Sequence, residues 1–231
     1  MKMGKALFIT GTGTDIGKTY VTGLIVKKLV DSGRRQASYY KAALSGAEPG
    51  ADGRLEPGDA LFVKEMAGLA EPVEKLVSYI YREEVSPHLA AKLNDRPIDF
   101  ERVKQDFAAA RSGCEFLTME GSGGIICPLR WDDEQKVILD DLLKALKIPA
   151  LVIADAGLGT INAAVLTIEH LCARAIPIAG VFLNNFHPGD RMEEDNRQMI
   201  EAITGVPVLA VIEPGAQELD MDAAALAALY E

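Results

Sequence analysis

Residues Gly11-Thr12-Gly13-Thr14-Asp15-Ile16-Gly17-Lys18-Thr19 lie between two segments of opposite character. Before them, Lys5–Thr10 is apolar through its middle, the pattern of a strand buried on both faces. After them, Val21, Leu24, Ile25 and Leu29 recur at near-helical spacing over Lys18–Asp31, and Gly33 follows as a stop. A glycine-rich turn between a strand and a helix can aim its backbone N–H groups inward, and the helix start adds a positive dipole end. Together they make a cradle for phosphates. Lys18 then reaches the terminal phosphates, and the Thr19 hydroxyl suits Mg²⁺. The standard spacing, G-x-x-x-x-G-K-[ST], puts its first glycine at Thr12, but here the glycines flank that position at Gly11 and Gly13. Two other readings compete. A dinucleotide fingerprint, G-x-G-x-x-G, fails on the interval to Gly17, and it wants an acidic residue where this chain has Lys41. A purely structural glycine turn leaves Gly17-Lys18-Thr19 unexplained.

The remaining chain alternates short apolar runs with amphipathic stretches, the signature of βαβ units. Strands are expected at Ala37–Tyr40, Val77–Tyr81, Phe116–Glu120, Ala150–Asp155, Ile178–Leu183 and Pro207–Ile212. Helices are expected at Asp59–Ala67, at Pro87–Leu93 with Ser86 as cap, and from an Asp99 cap to Arg111. Further helices are expected at Val137–Leu146, Ile161–Ala173 and Arg191–Thr204, with an Ala-rich helix at the end. Pro49–Pro57 reads as a mobile Gly/Pro/acidic loop. No internal repeat or linker divides the chain. The expected fold is α/β: one phosphate-loop NTPase domain over residues 1–231, with a mostly parallel central sheet and helices on both faces. At 231 residues such a chain buries about 70% of its unfolded surface, enough for a core without disulfides or metals.

Charge narrows the partners. With 24 basic against 34 acidic residues the net charge is −10, which disfavours nucleic acid, whose binding rests on Lys and Arg. No apolar run approaches the ~20 residues of a membrane span, and Ala6–Ile9 is too short for a secretory signal. Cys114, Cys127 and Cys172 show no disulfide or metal spacing and read as reduced thiols of a cytoplasmic protein.

Ligands of open parallel sheets bind at the carboxyl ends of the strands. Lys41 follows the expected second strand, with Ser45 and Gly46 just beyond, and a second cation there can stabilise charge in phosphoryl transfer. Glu120 ends another strand and opens Gly121-Ser122-Gly123-Gly124, a place for a Mg²⁺ ligand. Asp59 and Asp155 are further carboxylate candidates, each equally readable as a cap. Asn184-Asn185 ends the strand Ile178–Leu183, where an amide can read an adenine edge. The lysine and aspartate of a guanine-reading N-K-x-D are absent, which favours ATP. His88, His170 and His187 make no cluster, and Trp131 receives no role.

Thr10–Thr19, Tyr40–Gly46, Ser86-Pro87-His88 and Met119–Gly124, in this order and spacing, resemble the dethiobiotin synthetase family. The resemblance runs from about Lys5 to Asn185 and weakens beyond, and the longer phosphate loop is that family's variant. It implies ATP- and Mg²⁺-dependent ring closure of 7,8-diaminononanoate with CO₂ or bicarbonate to dethiobiotin. The route is a carbamate, a carbamic-phosphoric anhydride and expulsion of phosphate. It puts Lys18, Lys41 and Thr14 at the reacting groups and Thr19, Asp59 and Glu120 around Mg²⁺. The nucleotide would be held by Gly13, Thr14, Asp15, Ile16, Gly17, Lys18, Thr19 and Tyr20. Gly121, Ser122, Gly123, Asn184 and Asn185 would join them. Ser45 would face the diamine or carbamate. Gly157, Leu158, Gly159 and Asn162 would grip the substrate carboxylate across a homodimer interface. Where the family often has Lys-Pro-Val, this chain has Lys41-Ala42-Ala43, and the segment Glu213-Pro214-Gly215 receives no adenine role.

The rival is a nucleotide-switched partitioning or septum-site ATPase of the same superfamily, acting as an interaction protein. Its signature lysine in the phosphate loop aligns here with Gly13, and Ala223–Tyr230 lacks a basic membrane-binding face. A cobyrinate-type amidoligase would need a glutaminase domain for which 231 residues leave no room.

Overall fold

The computed structural model describes residues 3–34 and 36–231. β1 (Lys5–Gly11) leads through the glycine-rich turn into α1 (Lys18–Asp31) and then β2 (Ala37–Leu44). The expected loop Pro49–Pro57 lies within a small hairpin of β3 (Glu48–Pro49) and β4 (Leu55–Glu56), closed by a hydrogen bond from Gly50 N–H to the Arg54 carbonyl. Then come α2 (Gly58–Ala67), β5 (Val77–Ile80), α3 (Pro87–Leu93), α4 (Phe100–Ser112) and β6 (Phe116–Gly124). A second ribbon, β7 (Pro128–Trp131) and β8 (Lys136–Ile138), precedes α5 (Leu139–Leu146) and β9 (Ala150–Asp155). The chain continues through α6 (Thr160–Ala173), β10 (Ile178–Asn184), α7 (Arg191–Thr204), β11 (Val208–Ile212) and a short α8 (Ala223–Ala227).

Seven strands form one sheet in the order β11-β10-β9-β1-β6-β2-β5, and every pairing is parallel. Alternation along β1 sets the two cores. Leu7 and Ile9 face α1 and α8 with Leu24, Ile25 and Leu226. Ala6 and Phe8 face the opposite layer with Leu142, Ile168 and Leu171. β1 passes its chain to β2 across β6, and β9 lies on its other side. The carboxyl ends of β1, β6 and β2 therefore meet where the strand order reverses, the favoured ligand position in such sheets.

Two kinds of helix start bear on the site. Asp99 caps α4 by accepting from Glu101 and Arg102 N–H groups, and Asp190 and Asp222 cap α7 and α8 in the same way. α1 and α6 begin instead at Gly17 and Gly159, both left-handed (φ 83° and 92°), with no side-chain cap. Ser86 does not cap α3 with its side chain as expected, because its hydroxyl is bonded to His88 Nδ1 at 3.1 Å.

Candidate active site

The phosphate loop keeps its shape through close backbone contacts. A Cβ on Gly17 would lie 2.2 Å from Asn184 Nδ2, so glycine is required there by space as well as by φ. Asn184 Nδ2 donates to the Ile16 carbonyl at 3.0 Å, tying the end of β10 to the loop. The longer loop is absorbed by β1. It runs on to Gly11, which pairs with Gly124 after a register shift beyond Ile9. Lys18 Nζ folds back onto the Gly13 carbonyl at 2.6 Å. Burial lowers the Lys18 pKa and nearby Lys41 adds to this, while Glu120 partly opposes it.

Lys41 sits inside β2 rather than past its end. Ala42-Ala43-Leu44 continue the strand by pairing with β5, and Lys41 stands opposite Glu120 of β6. This cross-strand placement puts Lys41 Nζ 2.7 Å from Glu120 Oε1 and 2.5 Å from Asp59 Oδ2. Burial alone would press the Lys41 pKa down, but Glu120 and Asp59 outweigh it and the pKa is raised. Glu120, likewise inside its strand, is only 1% exposed. Its Oε1 also accepts from Thr19 Oγ1 at 2.8 Å, and its Oε2 accepts from Tyr39 OH at 3.0 Å. Tyr39 was not singled out by sequence. Its signal is the period of a strand: Tyr39 and Lys41, two apart, share one face of β2.

Lys18, Thr19, Lys41, Asp59 and Glu120, but not the buried Tyr39, line a cavity of about 400 Å³. The expected residues Thr14, Asp15, Gly17, Lys18 and Thr19 form one wall. Lys41, Leu44, Ser45, Gly46, Asp59, Glu120, Ser122 and Gly123 form the rest, with Glu84, which sequence reasoning missed. Ser122 is fixed by donating to the Ala43 carbonyl at 2.7 Å. Thr19, Asp59 and Glu120 present a hydroxyl and two carboxylates, the hard oxygen donors Mg²⁺ takes. Mg²⁺ needs only one or two carboxylates when phosphates and water complete its shell. The donor set therefore fits that ion, although no three His, Cys, Asp or Glu among the described residues group as a metal site.

Other expected residues lie elsewhere. Tyr20 OH bonds the Ala216 carbonyl, which ties α1 to the segment before α8. The Cβ position of Gly121 faces Phe8 and Leu139, so this glycine is required by core packing. Asn185 (φ 57°) donates to Asp155, and Asp155 also accepts from Gly157 N–H, which makes it a turn cap rather than a cavity carboxylate. Leu158, Gly159 and Asn162 border a separate groove of about 450 Å³ between α6 and α7. A cleft of about 480 Å³ near β5 and α4 is larger than the cavity, but its walls hold no part of the phosphate loop.

Residues 5–220 match a family model described as an AAA domain. The chain is 47% identical over 218 residues to the "ATP-dependent dethiobiotin synthetase BioD" of Brachyspira hyodysenteriae, covering 94% of this chain and 96% of that one. It is 43% identical over 229 residues to the protein of that name from Clostridium botulinum (strain Langeland), covering 99% of both. Among solved structures, a ParA family ATPase from Chlorobium tepidum TLS superposes with TM-score 0.54 at 14% identity, over 92% of this chain and 85% of that one. The last likeness shows a shared phosphate-loop fold and nothing finer. The identities over nearly full length decide the family: the chain belongs to the dethiobiotin synthetases.

Proposed function

We infer that this chain is an ATP-dependent cyclo-ligase that closes the ureido ring of dethiobiotin from 7,8-diaminononanoate and CO₂. The observation that carries the reading is Lys41. It is a buried ammonium locked between Glu120 and Asp59, in the same cavity as the phosphate loop. One amine of the diamine adds to CO₂ and loses a proton, giving a carbamate. A carbamate oxygen attacks the γ-phosphorus, and ADP leaves. The second amine attacks the carbonyl carbon, phosphate departs with the anhydride oxygen, and the ring nitrogen loses its proton.

In this reading Lys18, Thr14 and the loop N–H groups hold the phosphates. Lys41 holds carbamate and γ-phosphoryl oxygens where negative charge develops, already positioned by its two carboxylates. Thr19, Asp59 and Glu120 would hold Mg²⁺, which when bound supplies charge neutralisation at the phosphates. Asn184, bonded to the loop, would meet an adenine edge, and Ser45, on the cavity wall, would face the diamine. We further propose that residues 1–231 act as one domain in the cytoplasm. We also propose a homodimer in which Gly157, Leu158, Gly159 and Asn162 of one subunit take the substrate carboxylate bound by the other. The uncapped start of α6 supports this last point, since free N–H groups suit an anion.

Supplying ATP, Mg²⁺, bicarbonate and the diamine, then measuring ADP and dethiobiotin, tests the function. One ADP per dethiobiotin is expected. ATP hydrolysis indifferent to the diamine would instead support a switch ATPase.

A further inference from the structure

The cavity is lined by two ammonium groups, Lys18 and Lys41, and four carboxylates, Asp15, Asp59, Glu84 and Glu120. Two of the carboxylates are engaged, Asp59 and Glu120, which both bond Lys41. Asp15 makes no hydrogen bond or ion pair among the described residues, but it lies in the phosphate loop, where its charge acts on Lys18. Glu84 makes neither a hydrogen bond nor an ion pair among the described residues, and it lies on the wall with Ser45 and Gly46. Its neighbour Glu83 is occupied outside the cavity lining, accepting from Asn94 Nδ2 at 2.5 Å.

Glu84 is exposed, and the neighbouring backbone sets where its stem lies. Gly46 N–H donates to the Glu83 carbonyl at 3.0 Å and Ala47 N–H to the Tyr81 carbonyl at 2.9 Å, fastening the two segments together. The Glu84 stem then lies against Gly46, where a Cβ would come within 3.2 Å of Glu84 Cγ and where φ is +80°. Glycine at position 46 leaves room for that stem.

The next step rests on the diamine reading. After one amine becomes a carbamate, the substrate carries an anion at one nitrogen and, at neutral pH, an alkylammonium at the other, whose ordinary pKa is near that of lysine. Lys18 and Lys41 attract the carbamate and repel the ammonium. The ammonium is therefore driven away from the two lysines, and so away from Asp15 beside Lys18, toward the unpaired carboxylate of Glu84, whose charge is not among those acting on either lysine. We propose that Glu84 binds the free ammonium of the carbamylated diamine and so fixes which nitrogen faces the phosphoryl group. It is a substrate-positioning residue with no part in the bond changes themselves: the ammonium gives up its extra proton to solvent before the free amine attacks the carbonyl carbon.

The test compares wild type with Glu84→Gln, Glu84→Asp and Glu83→Gln in full steady-state kinetics. Losing a charge-assisted hydrogen bond should raise the diamine KM roughly tenfold in Glu84→Gln. The ATP KM should stay within about twofold, since no phosphate contact is involved. Glu84→Asp should recover part of the loss, and Glu83→Gln should match wild type. A diamine KM in Glu84→Gln within twofold of wild type overturns the proposal, as does an equal rise in both KM values, which would report general damage. Failure of the underlying reading looks different: wild type itself would show no diamine-dependent turnover, and both inferences would fall.

Discussion

Lys41 is where burial, pairing and chemistry meet in one side chain. It is 4% exposed and bonded to two carboxylates, so its removal has two separable effects. Glu120, at 1% exposure, loses its cation and keeps only the Thr19 and Tyr39 hydroxyls. Breaking a buried pair from one side costs about 3–5 kcal/mol, so Lys41→Ala should be measurably less stable in chemical unfolding. The catalytic effect is distinct. Lys18 and the loop N–H groups still hold nucleotide, so ATP affinity by calorimetry should change little. Turnover should fall roughly 10²–10³-fold, the usual loss for one electrostatic donor at the reacting centre. Lys41→Arg should not restore it, because a planar fork does not fit a site shaped for a compact ammonium. Near-normal turnover in a folded Lys41→Ala enzyme would remove Lys41 from the mechanism and leave it a purely structural ion-pair partner.

Elements depend on signals of unequal clarity. Asp99 accepts two N–H groups at the start of α4, while Ser86 gives α3 no side-chain cap. Asp99→Ala should therefore cost about 1 kcal/mol, with activity intact because α4 does not line the cavity, and Ser86→Ala should cost clearly less. Equal losses in denaturant unfolding would contradict the two cap geometries. The same contrast explains what could be read from sequence. Helices bounded by caps and glycines, such as Lys18–Asp31 and Arg191–Thr204, are found at their expected limits, and so is the apolar strand Ala150–Asp155. Strand ends were harder. β2 runs on to Leu44 and β6 to Gly124, because ladder partners on neighbouring strands decide where a buried strand stops. Lys41 and Glu120 read as strand ends when they are interior positions facing each other. Val137–Leu146 looked like one helix, but Ile138 is extended and its N–H is taken by Asp141 Oδ2 at 3.1 Å, so β8 precedes the helix. The phosphate loop was legible because its chemistry is local in sequence. Glu84 reaches the cavity, and Tyr39 reaches Glu120 behind it, only through pairing of distant segments, which no local pattern announces.

At the scale of the whole molecule, the sheet separates two functions that the proposed reaction must unite. The cavity with Lys18 and Lys41 is lined without Leu158, Gly159 or Asn162, which border the groove between α6 and α7. That groove is apolar in an unusual way: Leu158 is 91% exposed, Leu166 57% and Ile203 51%. Large apolar side chains gathered on one exposed face mark a contact surface. A second copy seated there would cover these residues and could bring the uncapped start of its own α6 to the far end of the first copy's substrate. The protein should therefore be a homodimer by light scattering at working concentration. Leu166→Glu with Ile203→Glu places two carboxylates in that face and should give monomers. Those monomers should still bind ATP, since the phosphate loop is untouched, but they should lose diamine-dependent turnover because one end of the substrate has no holder. A wild-type monomer with full activity would exclude the shared site, and monomeric double variants with unchanged diamine KM would show that each chain holds its substrate alone.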